Sequence, residues 1–263
     1  MPNILQEILA HKHKEVAQLK QQLEATHGDL SAEKITRGHS HLYQKQFQSA
    51  LSKAGLSIIG EIKRKSPSKG ELAQIADPIS LAETYANGGI DAISMLTDKQ
   101  YFNGSLDDLK TVASRLQQPI LRKDFIIDAA QIIETVTTGA SAVLLIVAAL
   151  KEKTASLLSM ASDYGLDALV EVHNQQELDT ALAAKAKIIG INNRDLTTFN
   201  VDLNTSINLI KNMPEDVVKV TESGIRNLDD VQRIKAAGFD AALIGEALVK
   251  SDQPDVFIKQ IKS

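Results

Sequence analysis

The sequence predicts an α/β fold, a single (β/α)8 TIM barrel preceded by a helical extension. Three observations carry that expectation. The chain has 263 residues, against a typical ~250 for such a barrel. A short pattern recurs, in which glycine and a small polar turn lead into an apolar run: Gly89-Ile90-Asp91-Ala92, Gly139-Ala140-Ser141-Ala142, Gly165-Leu166-Asp167-Ala168 and Gly238-Phe239-Asp240-Ala241. Each reads as a helix stopped by glycine and followed by a buried strand. The intervals fall near multiples of about 25 residues, the span of one strand–helix unit. Finally, aromatic residues make up only 4%. Ala, Ile, Leu and Val supply the apolar surface instead, which suits β-branched strands packed by helices.

Taken in order, residues 1–50 read as the extension. Ile4, Leu5, Ile8, Leu9, Val16, Leu19 and Leu23 recur at helical spacing between Lys, His and Gln, an amphipathic helix expected to pack on the barrel rather than on a membrane. His11 and His13 are two apart and do not share a helix face, so both are expected in solvent. The barrel is expected over residues 51–263. Its strands fall near 57–63, 91–96, 119–123, 142–147, 167–172, 187–191, 217–221 and 240–244. Helical patterns separate them at Leu81–Asn87, Leu106–Leu116, Ala129–Thr137, Thr154–Ser162, Gln176–Ala184, Thr205–Asn212, Leu228–Ala236 and Pro254–Ile261. Strict alternation points to a parallel sheet with helices outside. Eight units favour closure over an open doubly wound sheet, and no G-x-G-x-x-G fingerprint follows the first strand.

Composition narrows the function. A net charge of −4 argues against nucleic acid as a partner, because phosphate-backbone affinity needs a basic face. Cysteine is absent, which removes disulfides, thiolate chemistry and cysteine-ligated metal and suits a reducing compartment. The N-terminus, Met1-Pro2-Asn3-Ile4-Leu5-Gln6-Glu7, lacks a secretory apolar core. The longest apolar run, Ala142 to Leu150, is far short of the ~20 residues that span a bilayer. The expectation is a cytoplasmic monomer without membrane or nucleic-acid partners.

The run from Leu56 to Ser68 is the most informative in the chain, beginning as a buried strand and ending in charges. Alternate strand residues share a face, so Glu61 and Lys63 project together. An unpaired buried charge would cost roughly several kcal/mol, so the two are either a structural ion pair or an acid/base pair at a pocket floor. Other strands end the same way, with Arg122-Lys123-Asp124, Glu171, Asn192-Asn193-Arg194 and Glu222-Ser223-Gly224. Barrel active sites lie at this C-terminal face, and five charged strand ends exceed what packing requires. The glycines after the last two strands, Gly224 and Gly245, let backbone N–H groups approach an anion.

In this setting the motifs resemble a known family. Glu61-Ile62-Lys63-Arg64-Lys65-Ser66-Pro67-Ser68 is similar to the first-strand signature of the indole-3-glycerol-phosphate synthases of tryptophan biosynthesis. The likeness continues in order through Leu96-Thr97-Asp98, Tyr101-Phe102-Asn103-Gly104-Ser105, Leu121-Arg122-Lys123-Asp124-Phe125 and Leu169-Val170-Glu171-Val172. Gly190-Ile191-Asn192-Asn193-Arg194-Asp195-Leu196 and Thr221-Glu222-Ser223-Gly224-Ile225 complete it.

The resemblance implies ring closure of 1-(2-carboxyphenylamino)-1-deoxyribulose 5-phosphate, with loss of carbon dioxide and water. By similarity, Lys123 is the general acid toward the substrate carbonyl, and Glu171 assists proton transfer in the dehydration. Lys63, held by Glu61, neutralises anionic groups and can donate a proton. Asn192 and Glu222 match the remaining polar site residues, while Ser223, Gly224 and Gly245 match the phosphate loops. Arg194 and Ser66 orient the substrate, and Phe102, Phe125, Leu144 and Leu196 form an apolar wall for its aromatic ring. Metal and organic cofactors are not expected, because the cyclised intermediate itself delocalises the electrons released on decarboxylation. Burial is expected to raise the pKa of Glu171. Glu246 places a carboxylate beside the phosphate loop, and its side chain is expected to turn away while its backbone N–H binds. A sugar-phosphate isomerase on the same barrel, or an inactive barrel that only binds a phosphorylated ligand, are the competing readings. The Glu-x-Lys first strand counts against the former and the full charged set against the latter.

Overall fold

The computed structural model describes residues 4–27, 46–72 and 74–263. Positions 1–3 and 28–45 of the expected extension lie outside the described residues. Eight parallel strands close into a barrel: β1 Ser57–Ile62, β2 Ala92–Leu96, β3 Ile120–Lys123, β4 Ala142–Ile146, β5 Asp167–Val172, β6 Ile188–Asn192, β7 Val218–Glu222 and β8 Ala241–Ile244. The ring shuts where β1 pairs with β8, Ser57 opposite Ala241 and Gly60 opposite Ile244. Each strand lies within about a residue of its expected place. The helices follow as read, from Pro78–Gly88 to Pro254–Lys262, although the expected Thr205–Asn212 helix ends at Leu209 and finishes as a 3-10 turn.

The alternating strand pattern produces two apolar layers. Odd-numbered β1 residues such as Ile59 point inward with Leu121, Leu144, Leu169, Val220 and Leu243. Ile58 and Ile62 face the helices with Ile93, Val143, Val170 and Ile189. Following the inward column of each strand toward its C-terminal end leads to Glu61, Lys123, Glu171, Asn192 and Glu222, so strand periodicity alone converges these groups on one mouth. Arg122 has the opposite parity. It points away from the mouth and donates to Thr135 Oγ1 (2.9 Å) and the Gln131 carbonyl (3.1 Å) on the outer helix.

The opposite end is plugged. Helix Gln46–Leu51 inserts Phe47 and Leu51, both fully buried, into the inner layer. The recurring turn aspartates also work at this end. Asp91 accepts from the Ile58 N–H (2.8 Å), Asp167 from Gln48 (2.9 Å) and Asp240 from Lys219 (2.8 Å). Each ties the start of one strand to a neighbouring element and satisfies a backbone donor there, that of Ile58 fully buried.

Helix Ile4–His27 packs against the helix Ala129–Val136, with Ile8 and Val16 buried. Its polar stretch departs from expectation. His11 lies edge-on to Tyr101 at 6.1 Å and 3.1 Å from Glu15 Oε1, whereas His13 is exposed as expected. Lys12, between them, is only 3% exposed, with Asp124 at 2.9 Å and Asp98 at 3.0 Å.

Candidate active site

The mouth of the barrel holds a cavity of about 600 Å³. All the catalytic and substrate-binding candidates line it: Glu61, Lys63, Ser66, Phe102, Lys123, Phe125, Leu144, Glu171, Asn192, Arg194, Leu196, Glu222, Ser223, Gly224, Gly245 and Glu246. At its centre, Lys123 Nζ donates to Glu171 Oε2 (2.8 Å) and Glu222 Oε2 (2.7 Å). Lys63 Nζ contacts Glu61 Oε1 directly. Glycine makes room for these carboxylates. A side chain at Gly190 would strike Glu222 Oε1, and one at Gly245 would strike Glu61 Oε1.

The two acids beside Lys123 differ. Burial pushes Glu171 up, but the Lys123 charge and the neighbouring His173 outweigh it and hold the carboxyl well below the usual range. The expected rise at Glu171 is therefore corrected, because burial is only one contribution and two cations oppose it. Glu222 carries the rise instead. Burial and the charges of Glu171 and Glu61 prevail over Lys123 and bring it to about 7, and its Oε1 is buried without a hydrogen-bond partner. Burial opposes the charge on Lys123, yet Glu171, Glu222 and Glu61 together hold its pKa above the ordinary amine value.

One wall is apolar. The Phe102 and Phe125 rings are 6.1 Å apart and tilted 40°, with Leu144 and Leu196 nearby in the lining. Ile4, Leu5 and Ile8 from the N-terminal helix also line the cavity. Sequence reasoning placed this helix on the barrel but not over its mouth. Lys12 sits behind the wall. Asp98 caps the helical turn Lys99–Phe102 through Tyr101 N (2.7 Å), and Asp124 accepts from Phe125 N (2.8 Å) and Thr97 Oγ1 (2.6 Å). The Lys12 ammonium and Arg122 guanidinium keep Asp124 charged, at about 2, despite its burial.

The opposite wall is built from loops. Ser223 and Gly224 take consecutive positive φ values of 65° and 87°, a conformation costly for serine and common at anion clamps. Asn193, 2% exposed, holds that turn by donating to the carbonyls of Glu222 and Ser223, both at 3.0 Å. The sequence motif Asn192-Asn193-Arg194 gives no hint of this part, which exists only where the loops after β6 and β7 meet. Arg194 Nη1 reaches Ser68 Oγ and the Phe199 carbonyl, each at 3.3 Å, while its N–H donates to Asn192 Oδ1 (3.0 Å). Glu246 is not simply turned away. Its carboxylate is neutralised by Lys69 (2.7 Å) and Lys250 (2.8 Å), so the repulsion expected beside an anion site is offset by two ammonium groups.

Among the described residues no cluster of three or more His, Asp or Glu side chains is arranged to hold a metal ion, and no helix is long and apolar enough to cross a membrane. The fold is shared with a 3-hexulose-6-phosphate synthase crystal structure, which matches at a TM-score of 0.64 and 15% identity over 79% of this chain and 98% of that one. In sequence the likeness is closer. The indole-3-glycerol phosphate synthase of Thermoanaerobacter pseudethanolicus is 43% identical, covering 98% of both chains. That of Caldanaerobacter subterraneus subsp. tengcongensis is 44% identical over 98% of this chain and 99% of its own length. The family model for indole-3-glycerol phosphate synthase matches residues 5–261, and the chain belongs to that family.

Proposed function

We propose that the chain closes the pyrrole ring of indole-3-glycerol phosphate, acting on 1-(2-carboxyphenylamino)-1-deoxyribulose 5-phosphate as a decarboxylating lyase of tryptophan biosynthesis. The observation that carries the assignment of roles is Lys123 held between Glu171 and Glu222, with an aromatic wall on one side and an anion-ready turn on the other. A cavity of about 600 Å³ falls within the ~300–1,000 Å³ usual for small-molecule sites.

In this reading the phosphate meets the Ser223–Gly224 turn and the backbone at Gly245 and Glu246. The aryl ring lies against Phe102, Phe125, Leu144 and Leu196. Ser66 and Arg194 orient the chain between them, with Asn192 as a polar contact. Lys63 balances the carboxylate that will leave. The ring carbon bearing that carboxylate attacks the ketone, and Lys123 gives its proton to the developing alkoxide. A charged ammonium donates only as its partner becomes basic, so the proton moves as the C–C bond forms. Carbon dioxide then departs and its bonding electrons restore the aromatic ring. Lys63 gives the proton with which the new hydroxyl leaves as water, and Glu171, kept as a carboxylate, takes the proton that the adjacent ring carbon gives up as the double bond forms. The chemistry asks for neither metal nor organic cofactor.

We also read residues 1–50 as an extension of the barrel domain at 51–263, and the protein as a cytoplasmic monomer. The helix Ile4–His27 packed beside the mouth supports the first of these. Supplying the anilino-deoxyribulose phosphate and following indole fluorescence tests the function. Robust turnover is expected, reduced about 100-fold or more in Glu171→Gln. Isomerisation of the sugar phosphate without indole, or binding without turnover, would each replace this reading.

A further inference from the structure

His173 follows the last residue of β5 and stands outside the cavity, on the far side of Glu171 from Lys123. Its Nε2 lies 3.3 Å from Glu171 Oε1 and its Nδ1 3.0 Å from Glu177 Oε2. Glu177 is itself fixed. Its Oε2 accepts the His173 N–H (2.9 Å), and its Oε1 accepts from Asn174 Nδ2 (2.8 Å). Asn174 in turn caps the helix Gln175–Ala183 through the Glu177 N–H (3.0 Å). The reciprocal Asn-x-x-Glu cap therefore sets the position of a carboxylate, which sets the ring, which faces a reacting group.

Glu171 thus has a cation near each oxygen, Lys123 hydrogen-bonded at Oε2 and His173 within ion-pair distance of Oε1, where its Nε2 makes no hydrogen bond. Among the described residues Glu222 has only Lys123, at Oε2, and its other oxygen has no hydrogen-bond partner. Two carboxyls sharing one ammonium repel each other and would otherwise compete for a single proton.

We propose that His173 is a positioning residue whose cationic ring fixes the negative charge on Glu171, leaving Glu222 as the carboxyl that holds the exchangeable proton beside Lys123. The proposal rests on the reaction assigned above and adds the group that divides its two acids. The charged groups facing the ring are Glu171 on β5, Glu177 on the following helix and Asp195, more distantly, in the loop after β6. All three are acidic; burial disfavours an imidazolium, but Glu171 and Glu177 outweigh it and hold His173 up near 10.

The test compares pH–rate profiles of the full-length protein and His173→Gln, which keeps a donor but loses the charge. The acid limb of kcat is expected to move up by about one pH unit or more, with KM changed less than about threefold. A superimposable profile, or loss of activity with the limb unmoved, would overturn the proposal. A second measurement needs no turnover: ring 15N signals assigned to His173 should remain those of an imidazolium at pH 8 and titrate at lower pH in Glu177→Gln. A neutral ring at pH 8, or a titration that Glu177→Gln leaves unmoved, would equally overturn it. If the parent protein fails to make indole, the assigned reaction fails while the ring signals still report on His173.

Discussion

The two ends of this barrel use the same residue types for opposite purposes. At the closed end, Asp91, Asp167 and Asp240 each accept a backbone N–H, and Phe47 and Leu51 fill the axis. At the mouth, Glu61, Glu171 and Glu222 are answered mainly by the side chains of Lys63, Lys123 and His173. A carboxylate bonded to the backbone cannot let go without unpicking a strand. One bonded to a lysine can exchange that partner for a substrate atom. Burial does not draw that line, since Asp91 is buried like the mouth carboxylates while Asp167 and Asp240 are only partly so; Asp91, which also meets Lys262 at 2.6 Å, still holds the Ile58 N–H.

If this contrast is right, changes at the mouth should alter rates and changes at the base should alter stability. The largest effect is expected from Lys123→Ala, which removes the acid at the centre of the triad and should lower kcat by about 10³-fold, read by indole fluorescence at saturating substrate. Turnover that survives would take Lys123 out of its role. At the other end, Phe47→Ala should cost about 3–5 kcal/mol in denaturant unfolding, while the protein that remains folded keeps its kcat within about twofold. A matching loss of kcat would mean that the two ends are not separable.

The smallest effect sharpens the comparison by charge alone. The folded-state value for Glu222 is raised from 4.5 to about 7, so between those limits the folded protein keeps a proton that the unfolded chain releases. The contribution of Glu222 should therefore fall as pH rises through this window, and above about 6.5 His173, held up near 10, adds a fall of its own. Glu222→Gln should flatten that slope. Glu171 cannot mimic the effect, because its value is depressed and its contribution is lost only in more acidic solution. Unfolding midpoints measured from pH 5 to 8 decide the point, and equal slopes in parent and variant would count against the raised value.

Much of this was legible in the chain. The glycine–turn–strand pattern located the strands, and inward parity delivered Glu61, Lys123, Glu171 and Glu222 to one place because a strand has only two faces. What escaped was everything that depends on elements meeting across the fold. Lys12 looks like one more charge in His11-Lys12-His13-Lys14, and only docking of its helix beside Asp98 and Asp124 makes it a buried anchor. His173 lies just ahead of a cap that Asn174-Gln175-Gln176-Glu177 spells out, a signal that was available. Its target could be recognised only once the ring and Glu171 were seen 3.3 Å apart. The split between Glu171 and Glu222 likewise follows from counting cations in space, which no local spacing records.

The pairing of β1 with β8 has a bearing on how the protein is made. The first of the four central charged side chains to leave the ribosome, Glu61, sits on β1, and the glycine that accommodates it, Gly245, comes almost two hundred positions later. A nascent chain that already carries Lys123, Glu171 and Glu222 still has an open sheet where its pocket should be. Catalytic competence should therefore arrive abruptly at the end of synthesis, and fragments that stop short of β8 should be inert however well their own strands have formed.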